Sequence, residues 1–365
     1  MTSPTSPTSP TSPASPTWDL VRDLPLTIDS YSLERLDSPV SSGFVRAATI
    51  IVLEGGGEEG RGEDVTYSAA DHDNLGAAGA ILPLAGSYTL GSFSEHLATL
   101  DTFPLPPESE TYRNYRAWGF ESAALDLALR QAGEPLHAVV GRAPSPLTFV
   151  ASVRLPEPPD LAPIDARLAQ HPNLRFKLDP TPSWDEPLIA ELHARGIVAT
   201  ADLKSFYHGT SVDNAPDTDL YRRIADGLPE AWIEDPALTP ETEAVLEPHR
   251  ERITWDSPIH SVADVLALPF KPRVLNVKPS RFGTVRALFE FYDHCAAEGI
   301  GLYGGGQTEL AVGRGQIQYL ASLFHPDTPN DVAPAAYNID PLPERLPGPP
   351  LAPTPSPTGF RWEAT

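Results

Sequence analysis

Residues 174–278 carry five short apolar runs that each close on a charged side chain: Leu174-Arg175-Phe176-Lys177, Val198-Ala199-Thr200-Ala201-Asp202, Ala231-Trp232-Ile233-Glu234, Ile253-Thr254-Trp255-Asp256 and Val274-Leu275-Asn276-Val277-Lys278. Their β-branched and aromatic content predicts strands. Helical periodicity fills the gaps, over Asp185–Arg195, Asp217–Gly227, Pro240–His249 and Val262–Leu268. The five charged residues follow one another at intervals of 25, 32, 22 and 22 residues, each about one strand–helix unit. Working outward, Thr148–Leu155 and Ile300–Tyr303 add strands, and Ile164–His171, Thr284–Gly299 and Glu309–Phe324 add helices. A weak eighth strand falls near Asp331-Val332-Ala333. Strand–helix repetition predicts a parallel sheet. About eight such units predict an α/β fold closed into a (β/α) barrel, with a doubly wound open sheet as the structural alternative.

Before Leu147 the pattern differs. Residues Ser42–Ser68 predict a β-hairpin, with strand character over Phe44–Leu53, a turn over Gly55–Gly62 and a return over Glu63–Tyr67. Tyr112–Gly133 predicts a helix whose apolar side holds Trp118, Leu125 and Leu129 and which Gly133 stops. These elements predict an N-terminal α+β capping domain over 18–146, followed by the barrel over 147–340. The first seventeen residues repeat Thr-Ser-Pro without charge or apolar run, which predicts a disordered tail over 1–17 and no secretory signal. The Pro-rich segment 341–365 ends in Gly359-Phe360-Arg361-Trp362, an apolar tip expected to return to the capping domain.

Bulk properties narrow the function. The 365 residues hold 26 Lys plus Arg against 49 Asp plus Glu, a formal charge of −23. Such a chain is repelled by nucleic acid and by anionic membranes, which argues against both as partners. No run approaches the roughly 18 apolar residues of a membrane span. One cysteine, Cys295, precludes an internal disulfide and fits a reducing, cytoplasmic setting. A homo-oligomer is a common state for such enzymes.

In a barrel, reacting groups sit at the C-terminal ends of the strands. Reading those ends gives Lys177, Asp202, Glu234, Asp256 and Lys278 on five successive strands. A single charge there reads most simply as a solvated loop residue; five in order do not. Three carboxylates suit a hard divalent cation, Mg²⁺, with Mn²⁺ as the alternative ion. Lysine is a poor ligand for such an ion, so its place beside one points to proton transfer, helped by a cation that lowers the lysine pKa. Lys177 and Lys278 lie four strands apart in eight and should face each other across the metal.

These residues resemble the enolase superfamily. The match lies in Arg175-Phe176-Lys177, Asp202, Ile233-Glu234-Asp235-Pro236, Trp255-Asp256-Ser257 and Asn276-Val277-Lys278-Pro279-Ser280-Arg281-Phe282-Gly283. The nearest subgroup is the muconate-lactonizing and mandelate racemase-like type, which includes o-succinylbenzoate synthases and dipeptide epimerases. The resemblance implies a modified barrel with a capping domain, and a small carboxylate substrate bound through Mg²⁺. It further implies that a lysine removes the proton on the carbon next to that carboxylate, giving an enolate. Lys177 matches the second lysine of a Lys-x-Lys motif and Lys278 the lysine opposite.

The departures are informative. Arg175 replaces the first lysine and could support the site or bind an anion, but not act as a base. Lys204 follows Asp202 by two residues, so it shares that face and is a candidate substrate contact or extra acid. Ser257 stands where a glutamate often follows the third ligand. The loop Tyr303-Gly304-Gly305-Gly306-Gln307-Thr308-Glu309 reads as a tight turn or an anion-holding loop, with Gln307 and Glu309 as candidate substrate contacts; Glu309 reads equally as a helix-start residue. Tyr207 and His208 are lesser candidates. Specificity is expected from loops over Ser30–Phe44 and Thr66–Gly76 and from Ser152 and Arg154. The reading favours a racemase, epimerase or cycloisomerase, with a dehydratase or lyase on the same site as the alternative. A Schiff-base aldolase and a non-catalytic binding protein are the remote ones.

Overall fold

The computed structural model describes residues 15–39, 45–210, 212–339 and 341–362. The N-terminal part comprises α1 (Pro16–Val21), β1 (Pro25–Ile28), β2 (Ser30–Pro39), β3 (Val45–Gly55), β4 (Glu58–Asp64), α2 (Ala69–Ala78), β5 (Gly86–Thr89), α3 (Leu90–Leu97), α4 (Tyr112–Ala132) and α5 (Leu136–Val139). Strands β2, β3 and β4 form an antiparallel sheet, and α4 lies across it. Glycines permit that close approach. A Cβ at Gly62 would stand 2.0 Å from the Gly119 carbonyl oxygen, and one at Gly60 2.2 Å from that of Ala123. Trp118, Phe120, Ala123, Ala124 and Leu127 are buried with Ile51 and Leu53 in the resulting core.

Three expectations change here. The turn between β3 and β4 is the pair Gly56–Gly57, both at positive φ (59° and 82°), not the longer span Gly55–Gly62. Two glycines satisfy a tight hairpin turn without steric cost. Residues 30–39, expected as loop, form a ten-residue strand paired to β3; 40–44 lie outside the described residues. Of the expected tail 1–17, residues 1–14 lie outside the described residues, whereas Ser15 caps α1. Ser15 Oγ and Thr17 Oγ1 each donate to Asp293 at 2.6 Å, so α1 is fastened to the barrel's outer helices.

The C-terminal part alternates β6 (Ala151–Val153), α6 (Ala162–Leu168), β7 (Phe176–Leu178), α7 (Glu186–Arg195), β8 (Val198–Asp202), α8 (Thr218–Gly227), β9 (Trp232–Glu234), α9 (Pro240–Leu246), β10 (Ile253–Thr254), α10 (Val262–Ala267), β11 (Val274–Val277), α11 (Pro279–Phe282), α12 (Val285–Glu298), β12 (Gly301–Gly304) and α13 (Val312–Phe324). Local chemistry sets the helix starts: Asp185, Asp217, Thr239, Ser261 and Thr284 each accept a first-turn N–H, the favoured N-cap arrangement. Gly196 and Gly299 end α7 and α12 in the left-handed conformation.

Strands β6 to β10 pair in parallel in chain order, and β11 pairs with β12. Asn276 N donates to Trp255 O (3.1 Å) and joins the two sets. The eighth position is only the two residues Asn330 and Asp331, bridged to Phe149 on one side and Gly305 on the other. Barrel closure there rests on side chains. Asn330 Oδ1 accepts from Gly304 N (2.6 Å), and its Nδ2 donates to the carbonyls of Thr148, Thr328 and His325. His325 Nδ1 stands 2.7 Å from Asn330 Oδ1. The tip of the chain returns: Phe360 is buried against Trp118 and Tyr319, and Arg361 Nε donates to Asp126 Oδ2 at 2.7 Å. No helix among the described residues is long and apolar enough to cross a membrane.

Burial pushes the His325 imidazole down to about 4, against the opposing pull of Asn330. The folded pKa lies below the unfolded one, so His325 favours the fold fully above about pH 6.5 and loses that contribution as pH falls to about 4. The expected loss is about 3 kcal/mol at pH 4. Urea unfolding followed between pH 7 and 4 should show a shallower pH dependence for His325→Gln than for the wild type by that amount.

Candidate active site

Parallel strands bring the predicted carboxylates together. Asp202 ends β8, Glu234 ends β9 and Asp256 stands two residues past β10, all three buried, with one oxygen from each within 4.8 Å of the others. Lys177 lies within β7, and its Nζ is 2.5 Å from Glu234 Oε1, 2.9 Å from Asp202 Oδ2 and 3.8 Å from Asp331 Oδ2. Lys278 follows β11 and reaches Asp256 Oδ2 at 2.8 Å. The two lysines therefore engage different members of one triad.

A shell of donors orients the carboxylates. Tyr303 Oη donates to Glu234 Oε2 (2.7 Å) and Asn276 Nδ2 to Glu234 Oε1 (3.3 Å). Tyr207 Oη (3.0 Å) and Arg281 Nη2 (3.3 Å) donate to Asp256 Oδ2. Asp235 accepts from the backbone N–H groups of Asp256 (2.8 Å) and Ser257 (3.0 Å), fixing the segment that follows β10. Lys204, Asp235 and Thr308 all adopt positive φ (55°, 50° and 57°). Non-glycine residues in that region are strained, and strain of this kind gathers at functional sites.

Electrostatics follow from burial and crowding. Burial together with the neighbouring carboxylates lifts Glu234 to about 8 and Asp235 to about 7. Burial also opposes ionisation of Asp202 and Asp256, but the cations win: Lys177 and Lys204 bring Asp202 down to about 2, and Arg281 and Lys278 hold Asp256 far below the usual range. A bound cation is expected to lower the lysine pKa values, and burial also acts downward. The protein's own carboxylates act upward, Asp202 and Glu234 raising Lys177 well above its ordinary value and Asp256 raising Lys278.

The donor set fits a divalent cation. Asp179, Asp202, Glu234, Asp235, Asp256 and Asp331 meet Lys177, Lys204, Lys278 and Arg281, so carboxyl groups outnumber the cationic side chains among these groups. Asp256 Oδ1 is buried without a hydrogen-bond partner, although Oδ2 of the same carboxylate accepts three. An orphaned oxygen on a carboxylate that belongs to such a triad is a ligand position for a hard cation.

The remaining candidates divide. Lys204 joins the site: its ammonium donates to Asp202 Oδ2. Ser152 is the register partner of Lys177, shares its face and is exposed, so solvent reaches that side of the interior. Arg175 does not join. It lies before β7, is exposed, and donates to the Val198 carbonyl (2.9 Å) at the opposite end of the strands. Gln307 faces the cap, accepting from Tyr67 Oη and donating to Tyr115 Oη, both at 3.1 Å. Glu309 precedes α13, accepts from Gln307 N (2.7 Å) and pairs with Arg314 (3.2 Å), which shapes the loop. His208 is exposed and paired with Asp213. Several site residues were missed: Asp331, on a strand too short for periodicity; Tyr303 and Asn276, whose inward parity with Lys278 was readable for Asn276; and Asp179, two residues after Lys177.

Comparison with known proteins gives the class. The o-succinylbenzoate synthase of Geobacillus stearothermophilus is 26% identical over 310 residues, covering 80% of this chain and 79% of that protein. A member of the enolase superfamily from Listeria innocua Clip11262 superposes with a TM-score of 0.66 at 19% identity, covering 85% of this chain and 86% of that one. A dipeptide epimerase from Enterococcus faecalis V583 does so at 0.69 and 15% identity, covering 93% and 100%. The chain is thus an enolase-superfamily protein, a capped barrel of a superfamily of enzymes that use a divalent metal. Within it, the chain belongs to the family described as domain of unknown function DUF8230, matching the N-terminal domain over residues 19–139 and the C-terminal domain over 143–339.

A cation that binds only the folded triad stabilises the fold by mass action. Mg²⁺ or Mn²⁺ at a hundredfold excess over its Kd should add about 2.7 kcal/mol, reversed by EDTA. Glu234→Gln should fold and lose this increment in thermal denaturation.

Proposed function

We propose that this chain is a Mg²⁺-dependent enzyme that removes the proton alpha to the carboxylate of a small substrate, with Lys177 and Lys278 exchanging roles as base and acid. The observation that carries the reading is the placement of two buried lysines on different members of one carboxylate triad. Asp202, Glu234 and Asp256 would hold the cation. Bound there, it would supply positive charge that stabilises an enolate and weakens the carboxylates' hold on the lysines.

The chain's own groups do the rest. Lys177 Nζ takes the proton on its side, and Lys278 Nζ returns one on the other. Tyr303 and Asn276 keep Glu234 from turning toward Lys177 alone. Tyr207 and Arg281 occupy Asp256 Oδ2, so its Oδ1 stays available. The outcome we favour is racemisation, epimerisation or cycloisomerisation, because an acid and a base on separate sides allow the proton to return to the other face. The similarity to a dipeptide epimerase supports this. The similarity to an o-succinylbenzoate synthase favours a second reading, elimination, in which one lysine stays protonated and steadies charge.

Incubation with a library of N-acyl amino acids, dipeptides and hydroxy acids in D₂O should exchange the α-proton of a substrate. Lys177→Ala and Lys278→Ala should each lower kcat by about 10²–10⁴ while retaining the wild-type circular dichroism. Loss of water seen by mass spectrometry, without inversion at the α-carbon, selects elimination. The absence of both exchange and loss of water across the library with metal present contradicts both readings.

A further inference from the structure

Lys204 departs from the pattern that otherwise fits, and its surroundings say what it does. Its backbone N–H donates to Asp202 Oδ1 (3.1 Å) and its ammonium donates to Asp202 Oδ2. Lys177 reaches that same Oδ2 at 2.9 Å. Both oxygens of the first triad carboxylate are thus taken by the chain's own donors, whereas Asp256 keeps Oδ1 open. A divalent cation on Asp202 Oδ2 and an ammonium hydrogen-bonded to it would stand close enough to repel strongly. One of them must give way.

A second carboxylate stands ready for Lys204. Asp179, just past β7, has its Oδ1 buried and without a hydrogen-bond partner, 3.8 Å from Lys204 Nζ. A movement of about 1 Å brings that pair to charge-assisted hydrogen-bond distance. The ring of Tyr207, 4.9 Å from Nζ, lines the same space and tolerates a cation on its face. The positive φ of Lys204 (55°) holds the side chain between the two acids.

We propose that Lys204 is a displaceable counter-ion: it neutralises Asp202 in the metal-free protein and moves onto Asp179 when a divalent cation takes Asp202. The inference rests on the metal reading above. It makes Lys204 a competitor of the metal and Asp179 the group that relieves the competition. Lys177, which has Asp331 at 3.8 Å, stands in a parallel position but on the catalytic side.

The test is a calorimetric Mn²⁺ titration of the full chain and of Lys204→Met, Asp179→Asn and the double variant, each checked for native circular dichroism. Removing the competitor should tighten Mn²⁺ binding about tenfold. Asp179→Asn should weaken binding several-fold in the wild-type background and leave it nearly unchanged in the Lys204→Met background. A merely structural role for Lys204 would not produce tighter binding. Unchanged or weaker binding by Lys204→Met, or an equal effect of Asp179→Asn in both backgrounds, overturns the inference while the metal reading stands. Binding by Lys204→Met alone supports it. Absence of binding in both overturns the metal reading and the inference together.

Discussion

Three buried carboxylates each hold one oxygen within 4.8 Å of the others. Two unit charges at that separation repel by roughly 3 kcal/mol even at an effective dielectric of about 20. Nothing in ordinary folding favours such crowding, and the surrounding structure is arranged around it. Lys177 bridges the first two acids, Lys278 and Arg281 take the third, and Lys204 covers the first from above. Even so, burial first and the neighbouring carboxylates second leave Glu234 and Asp235 with raised pKa values. The barrel supplies the geometry, because adjacent parallel strands end side by side and present their last residues to a common space.

The cap is joined to this site through the loop after β12. Gln307 links Tyr67 and Tyr115, and the buried Arg46 donates to the Gln307 carbonyl at 3.0 Å. Glu63 accepts from the N–H groups of Leu310, Ala311 and Gly313, tying β4 to the start of α13. The C-terminal tip adds a third tie, since Phe360 packs on Trp118 of α4 and Tyr319 of α13 at once. Gln307, read from sequence as a candidate substrate contact, is also a joint between cap and barrel.

How much of this was legible depends on the length over which each signal repeats. Asp202, Glu234 and Asp256 were legible because each closes an apolar run and the runs recur at one strand–helix interval. Lys177 and Lys278 were legible for the same reason. The eighth strand was legible only as a weak signal near Asp331, because two bridging residues and a hydrogen-bonded asparagine replace a periodic pattern there. Motif position did not carry Arg175 into the site: it stands at the first lysine of the Lys-x-Lys pattern, but it lies before the strand begins and turns to the Val198 carbonyl. The direction of the lysine shifts was also hidden, since it depends on distances to carboxylates that no sequence spacing reports. Residues 30–39 read as loop, yet half-buried Tyr31 and Leu33 between exposed neighbours belong to a strand covered on one side.

The central claim is that the triad is a divalent-cation site whose place the lysines hold. Anomalous diffraction from crystals grown with Mn²⁺ tests it most directly. The account predicts one strong peak within bonding distance of an oxygen from each of Asp202, Glu234 and Asp256, with Asp256 ligating through Oδ1. A triad without a peak, with Lys177 still bridging Asp202 and Glu234 at saturating Mn²⁺, would contradict it.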